Sequence, residues 1–335
     1  MMFSRVFGLH PMLVLKEWHQ HQLKILLYSL LMSGLYIVGP FLAAALNTRV
    51  GMPWQVDLAG LVSTTLDYGS SILFLGWFIA FVWGVLLSDE KKNGTLDFLL
   101  TTPVTRRQVV KTKYIMGMAL LILNLLVVAF YLAGIVMFIS TSYTLVDVGV
   151  WFIQTAAVLA AVFGIAFAAS TVAGNAISSG ILAAGIIFGS GPVLLGIHDL
   201  LYGLGLLRFG DGLGLMLYRM AEASGVLGSA IFGGPPAALP SLSASFGLLL
   251  LCIGLYYLSV WLFERNPLER NGGILVFGDT RRVIQVIVTV AIALWTAWAR
   301  AGSVAPVYFL LLVIVISLAA YYLIGLLFGA MRSLE

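Results

Sequence analysis

Residues 89–114 read "DEKKNGTLDFLLTTPVTRRQVVKTKY", a dense block of charge in a chain that is otherwise almost all oil. The 335 residues are 61% hydrophobic and 10% charged, where an ordinary soluble domain carries about 25% charged residues. So many apolar side chains cannot all be hidden in one soluble core, which places the chain in the membrane class. The block must therefore be a stretch held outside hydrocarbon, and the sequence on either side of it has to be read as spans.

Crossing about 30 Å of hydrocarbon takes a helix of about 20 apolar residues. Eight stretches qualify or nearly do: 24–46, 69–87, 114–139, 150–173, 176–196, 244–263, 283–299 and 306–328. None carries Asp, Glu, Lys, Arg or His in its central part. The first run is too long for the h-region of a secretory signal, about 7–15 residues, and reads as a retained span.

Lys and Arg in the loops set the orientation. With the N-terminus in the cytoplasm, 14 of the 18 basic residues fall inside, and Arg49, Arg208, Arg219 and Arg300 fall outside. Both termini are then cytoplasmic. The net charge of +4 is a topology signal, and its expected partner is anionic lipid headgroups rather than nucleic acid. The single cysteine, Cys252, lies in an apolar run; it allows no intrachain disulfide and reads as a small core residue.

Ahead of the first span, "LHPMLVLKEWHQHQLK" (9–24) reads as a helix lying along the inner surface. Met12, Leu13, Val14, Leu15 and Trp18 would enter lipid, while Lys16, Glu17, His19 and Gln20 stay wet. His19 and His21, two apart, share no helical face, so solvated histidines are expected rather than a metal site. Segment 197–243 is too long for a turn, and its glycines and prolines favour partial helices dipping into the outer leaflet.

Within the charged block, Asn93-Gly94 breaks the helix of the second span. Thr95 can cap a short new helix with Asp97 in its first turn. Leu96, Leu99 and Leu100 recur at i, i+3 and i+4 and form one apolar face. Pro103 ends the helix after about two turns. Thr105 and Gln108 then have the spacing of a capping box, which starts the third span near Arg106, with Lys111 and Lys113 at headgroup level. A two-turn helix is unstable alone, so its apolar face must be buried on lipid, on this protein's own helix ends or on another chain.

At these residues a resemblance appears. Glu90, Gly94-Thr95-Leu96-Asp97, Leu99-Leu100 and Thr102-Pro103-Val104, leading into a basic helix, resemble the signature of ABC-2 type permeases, the membrane subunits of one large group of ABC transporters. Asp97 stands where Glu is commoner in that signature. The layout of residues 1–263 is similar too: an N-terminal interfacial helix, six spans, a long cytoplasmic loop after the second and a tight hairpin at Gly174-Asn175. Residues 264–335 add a cytoplasmic loop and two further spans, as in longer, eight-span members.

The resemblance implies an all-α polytopic protein whose residues 94–103 form a coupling helix seated in a cleft of an ABC ATPase subunit. Leu96, Phe98, Leu99 and Leu100 would supply apolar contact, Asp97, Arg106 and Arg107 rim charges, and Gly174 and Asn175 a smaller second contact. Pro103 and Glu90 would bound the element. The chain would itself bind no cofactor; ATP and Mg would sit in the partner ATPase, in keeping with the lack of a Gly-Lys pair and hence of a Walker A loop. A second permease subunit, identical or related, would complete the path in the cell membrane. The expected activity is export of an amphipathic or lipid-like substrate, with no catalysis in this chain.

Two other classes compete. A membrane scaffold or sensor could bind an ATPase without transporting. An ion-coupled carrier would need an ionisable group at depth, at a cost of about 2.5–3.5 kcal/mol on insertion scales, and the sequence offers none. Asn124, Gln154, Asn175 and Gln285 read as helix–helix glue, and His198-Asp199 is too poor a motif for a catalytic site.

Overall fold

The computed structural model describes residues 11–49, 57–68, 75–85, 104–139, 141–206, 241–266 and 311–322, with scattered helical residues in 212–220 and 285–293. The described regular structure is all helical. Helix α1 (Pro11–Ser29) runs through a π-helical turn, Leu30–Gly34, into α2 (Leu35–Arg49). There follow α3 (Leu58–Tyr68), α4 (Leu75–Val85), α5 (Arg106–Phe138), α6 (Leu145–Val172), α7 (Ala176–Gly203), α8 (Leu242–Glu264) and α9 (Leu311–Tyr322).

Local chemistry explains most of the boundaries. The Thr105–Gln108 capping box forms as expected: the Gln108 N–H donates to Thr105 Oγ1 at 3.3 Å and the Thr105 N–H to Gln108 Oε1 at 2.9 Å. A second box, unforeseen, opens α6, where Thr144 and Asp147 bond reciprocally. Asn175 caps α7 through its side chain, 2.8 Å from the Ser178 N–H, so the expected hairpin spans only residues 173–175. At its far end α7 stops in a Schellman motif. Gly205 takes φ +70°, the Leu206 N–H reaches Leu201 O and the Gly205 N–H reaches Tyr202 O, both at 3.0 Å.

Helix α6 is the hub. Every residue from Ala157 to Thr171 is buried, as befits a helix apolar all round. It packs against α3, α5, α7 and α8 and against α4 at Gly84. A Cβ there would lie 2.6 Å from Ala166 Cβ and 3.0 Å from both the Phe163 carbonyl oxygen and the Phe167 nitrogen. Only glycine permits that approach. Between α5 and α8, Tyr114 donates its hydroxyl to the Cys252 carbonyl at 2.9 Å, beside the Cys252 thiol at 2.8 Å. Cys252 is indeed a buried, unbridged core residue.

The pairings fix direction. Glu17 meets Lys113 and Ser29 meets Asn124, so α1 is parallel to α5. Cys252 meets Ala160 and Leu255 meets Gly164, so α8 is parallel to α6; Gly76 faces Leu159 and Gly84 faces Ala166, so α4 is parallel to α6 as well. Thus α1, α5 and α7 run one way and α4, α6 and α8 the other. Among the described residues, four helices are long and apolar enough to cross a membrane, or five if the bent pair α1–α2 counts as one span. Large apolar side chains such as Phe130, Phe138 and Ile177 are 74–90% exposed, a surface suited to lipid rather than water.

Three differences from the sequence reading stand out. No break separates residues 9–24 from the first span; within the described part, α1 passes straight through residue 24, and the bend, 53°, falls at the π turn instead. Helix α3, whose first turn Asp57 caps by accepting from the Gly60 N–H at 2.7 Å, was not anticipated. Helix α7 runs to Gly203, beyond the expected end at 196. Of the segments 283–299 and 306–328, only α9 and isolated residues are described; there Gln285 Nε2 donates to Tyr321 O at 2.9 Å, and α9 packs on the C-terminal part of α7.

Candidate functional site

One end of the bundle gathers the charge. Helices α1, α5 and α7 begin there, and α4, α6 and α8 end there. The last described residue of α4, Val85, and the first of α5, Arg106, therefore both lie at this end. Glu90, Gly94, Thr95, Leu96, Asp97, Phe98, Leu99, Leu100 and Pro103 all lie outside the described residues. Arg106, Arg107, Gly174 and Asn175 are described, and the directions of α5 and α6 place all four at this same end.

Their surroundings differ. Arg106 is half-buried, and its guanidinium donates to Glu264 O at 3.1 Å and Asn266 O at 2.9 Å. It satisfies carbonyls at the C-terminus of α8, where a cation also complements the helix dipole. Arg107, one residue on, is exposed. Gly174 is buried and Asn175 half-buried, with the Asn175 side chain engaged as the α7 cap. Of these four, Arg107 presents the most accessible charge. Arg265 lies over the Trp261 ring at 3.9 Å, a cation–π contact closing the end of α8.

A second cluster at this end escaped the sequence reading. Glu17 and His21, expected to be wet, are only 6% and 7% exposed. Lys113, expected at headgroup level, is 8% exposed, and its Nζ lies 2.7 Å from Glu17 Oε1. Lys16 Nζ also reaches Glu17, at 3.0 Å, and His21 Nε2 stands 3.7 Å from Glu17 Oε2. The correction has a simple cause: α1 is packed along α5, and its i, i+4 face, Leu13, Glu17 and His21, is the packed one. His19 and Gln20 remain exposed, as expected. Eleven residues further along α5, Asn124 Nδ2 donates to Ser29 Oγ at 3.1 Å and Ser33 Oγ donates to Asn124 Oδ1 at 3.3 Å. Asn124 is thus the helix–helix glue its amide suggested. Among the described residues, no group of three or more His, Cys, Asp or Glu side chains is arranged to hold a metal.

A family model described as "ABC-2 family transporter protein" matches residues 18–190, just over half of the chain, from α1 into α7 and across the whole charged block. The chain belongs to the ABC-2 transporter family. A search of curated proteins returned no match. As an ABC-2 family member it is a multi-pass membrane protein and a transport subunit, of a kind that normally works with an ABC ATPase. The family match ends before α8, so the Arg106 contact with the α8 carbonyls ties the matched part of this ABC-2 protein to its sixth expected span.

Proposed function

We propose that this ABC-2 permease drives export of an amphipathic or lipid-like substrate across the cell membrane, powered by a separate ATPase seated on residues 94–103. The observation that carries this reading is the convergence at one end of the bundle. The ends of α4 and α5 that flank the charged block, the α6–α7 hairpin and the exposed Arg107 all face the same side. An ATPase on that side would meet the apolar face of Leu96, Leu99 and Leu100, with Asp97 and Arg107 at the rim and Gly174-Asn175 as a lesser contact. Glu90 and Pro103 would delimit the element. ATP and Mg would belong to the ATPase.

The same orientation puts both termini in the cytoplasm. Residues 1–263 form the six-span core and residues 264–335 a cytoplasmic loop and two more spans, for eight in all; the bond between Gln285 and Tyr321 supports pairing of the last two. A second permease subunit completes the pathway. The test is Leu99→Asp, which places a charge on the coupling face outside the bilayer. It is expected to abolish co-purification of the ATPase, or permease-stimulated ATP hydrolysis, while membrane insertion stays normal. Wild-type recovery of the complex with normal stimulated hydrolysis would refute the assignment.

A further inference from the structure

We infer that the buried Glu17–Lys113 ion pair is a strut that makes α1 and the first turns of α5 move as one body, so that displacement delivered between α4 and α5 reaches the first span. Glu17 and Lys113 are positioning residues: neither touches a substrate. The inference rests on the reading of residues 94–103 as the coupling element only for the source of the motion; the strut itself stands on the geometry of α1 and α5.

Three observations converge. The pair is short, 2.7 Å, with both side chains under a tenth exposed. It sits where three helices meet: His21 of α1 stands edge-on to Trp83 of α4, with ring centroids 5.7 Å apart, and a Cβ on Gly117 of α5 would lie 2.5 Å from Trp83 Cδ1. Trp83 lies two residues before the end of α4, and Lys113 two turns into α5, so the cluster is at the root of both helices that bracket the charged block. Finally, the pair is one end of a seam whose other end is Asn124 against Ser29 and Ser33, beside the π turn.

Burying an ion pair is a poor way to gain stability compared with apolar packing, but it is an effective way to fix register. Sliding α1 one turn along α5 would part the Lys113 ammonium from the Glu17 carboxylate and break a 2.7 Å charge contact between two largely buried side chains. Apolar contacts alone would tolerate such a slip. Below the π turn, α1 is therefore held to α5 at two heights. Above it, α2 departs at the 53° bend.

Pulsed EPR on the full chain in nanodiscs tests this, in a Cys252→Ser background with spin labels at the exposed Gln20 and Leu123. The expected result is one narrow distance distribution, broadened at least twofold by Glu17→Gln and narrowed again in the swap Glu17→Lys with Lys113→Glu. The swap separates a specific strut from general damage to folding. An unchanged distribution in Glu17→Gln, or no recovery in the swap, overturns the inference. In the complex with its co-purifying ATPase, ATP plus vanadate is expected to leave the Gln20–Leu123 distance unchanged while a Gln20–Ile177 pair shifts. A nucleotide-driven change in Gln20–Leu123 also overturns the strut. If no ATPase can be captured, or neither pair responds to nucleotide, the coupling assignment fails, and the measurements without ATPase still decide the strut.

Discussion

Gly84→Ala adds one methyl group where α4 lies directly against the backbone of α6. That methyl carbon would sit 2.6 Å from Ala166 Cβ and 3.0 Å from two backbone atoms of α6, where relaxed carbon contacts are about 3.5–4.0 Å. No side chain can swing aside, because the obstacles are a Cβ and backbone. Helix α4 must retreat from α6 by about 1 Å, and overpacking of this kind costs about 1–3 kcal/mol. Better helix propensity returns up to about 1 kcal/mol, leaving a net loss of about 0–2 kcal/mol, while the difference from a control that shares the propensity gain stays at about 1–3 kcal/mol. Gly134→Ala is the matched control, because a methyl group there would meet no atom within 4 Å; it keeps the propensity gain without the clash. Thermal melting of the purified protein in one detergent, followed by size-exclusion chromatography, reads the difference. At about 2–4 °C per kcal/mol for larger chains, Gly84→Ala should melt several degrees below Gly134→Ala. Equal or higher melting of Gly84→Ala would refute the close α4–α6 contact on which the placement of Trp83 depends.

Two further outcomes rest on single contacts. Asn124→Leu removes the bonds to Ser29 and Ser33 that pin the π turn, and should cost about 0.6–1.7 kcal/mol, read as a lower melting point than Val127→Leu, an exposed α5 control; equal melting points would contradict the seam. Arg106→Ala and Arg107→Ala should separate. Arg106→Ala exposes the α8 carbonyls, destabilising the protein by about 1–3 kcal/mol, with the ATPase still bound in the folded fraction. Arg107→Ala should melt normally but weaken ATPase binding, most visibly at low salt; binding loss confined to Arg106→Ala would reverse these assignments.

Much of this protein is legible from local sequence, because local sequence carries the relevant energies. Whether a segment crosses the bilayer depends on the summed transfer free energy of its own side chains, and α5, α6, α7 and α8 appear where the apolar runs are. Capping is equally local: Thr105 and Gln108 are three residues apart and close their box whatever the rest of the chain does. Helix α3 gives no span signal, because its 11 residues are too short to cross a bilayer; its local signature is Asp57 three residues before Gly60.

Tertiary structure decided which faces meet. Glu17 and Lys113 are separated by 96 residues, and nothing in the spacing around either one distinguishes a wet charge from a buried, paired one. Arg106 looked like a free rim charge because its acceptors, carbonyls 158 and 160 residues away, carry no side-chain signature at all. Gly84 reads as any other glycine in an apolar run until α6 lies against it. Span, cap and hairpin are properties of neighbours along the chain; burial of charge, capping in trans and close approach are properties of neighbours in space, and only the packed bundle brings those together.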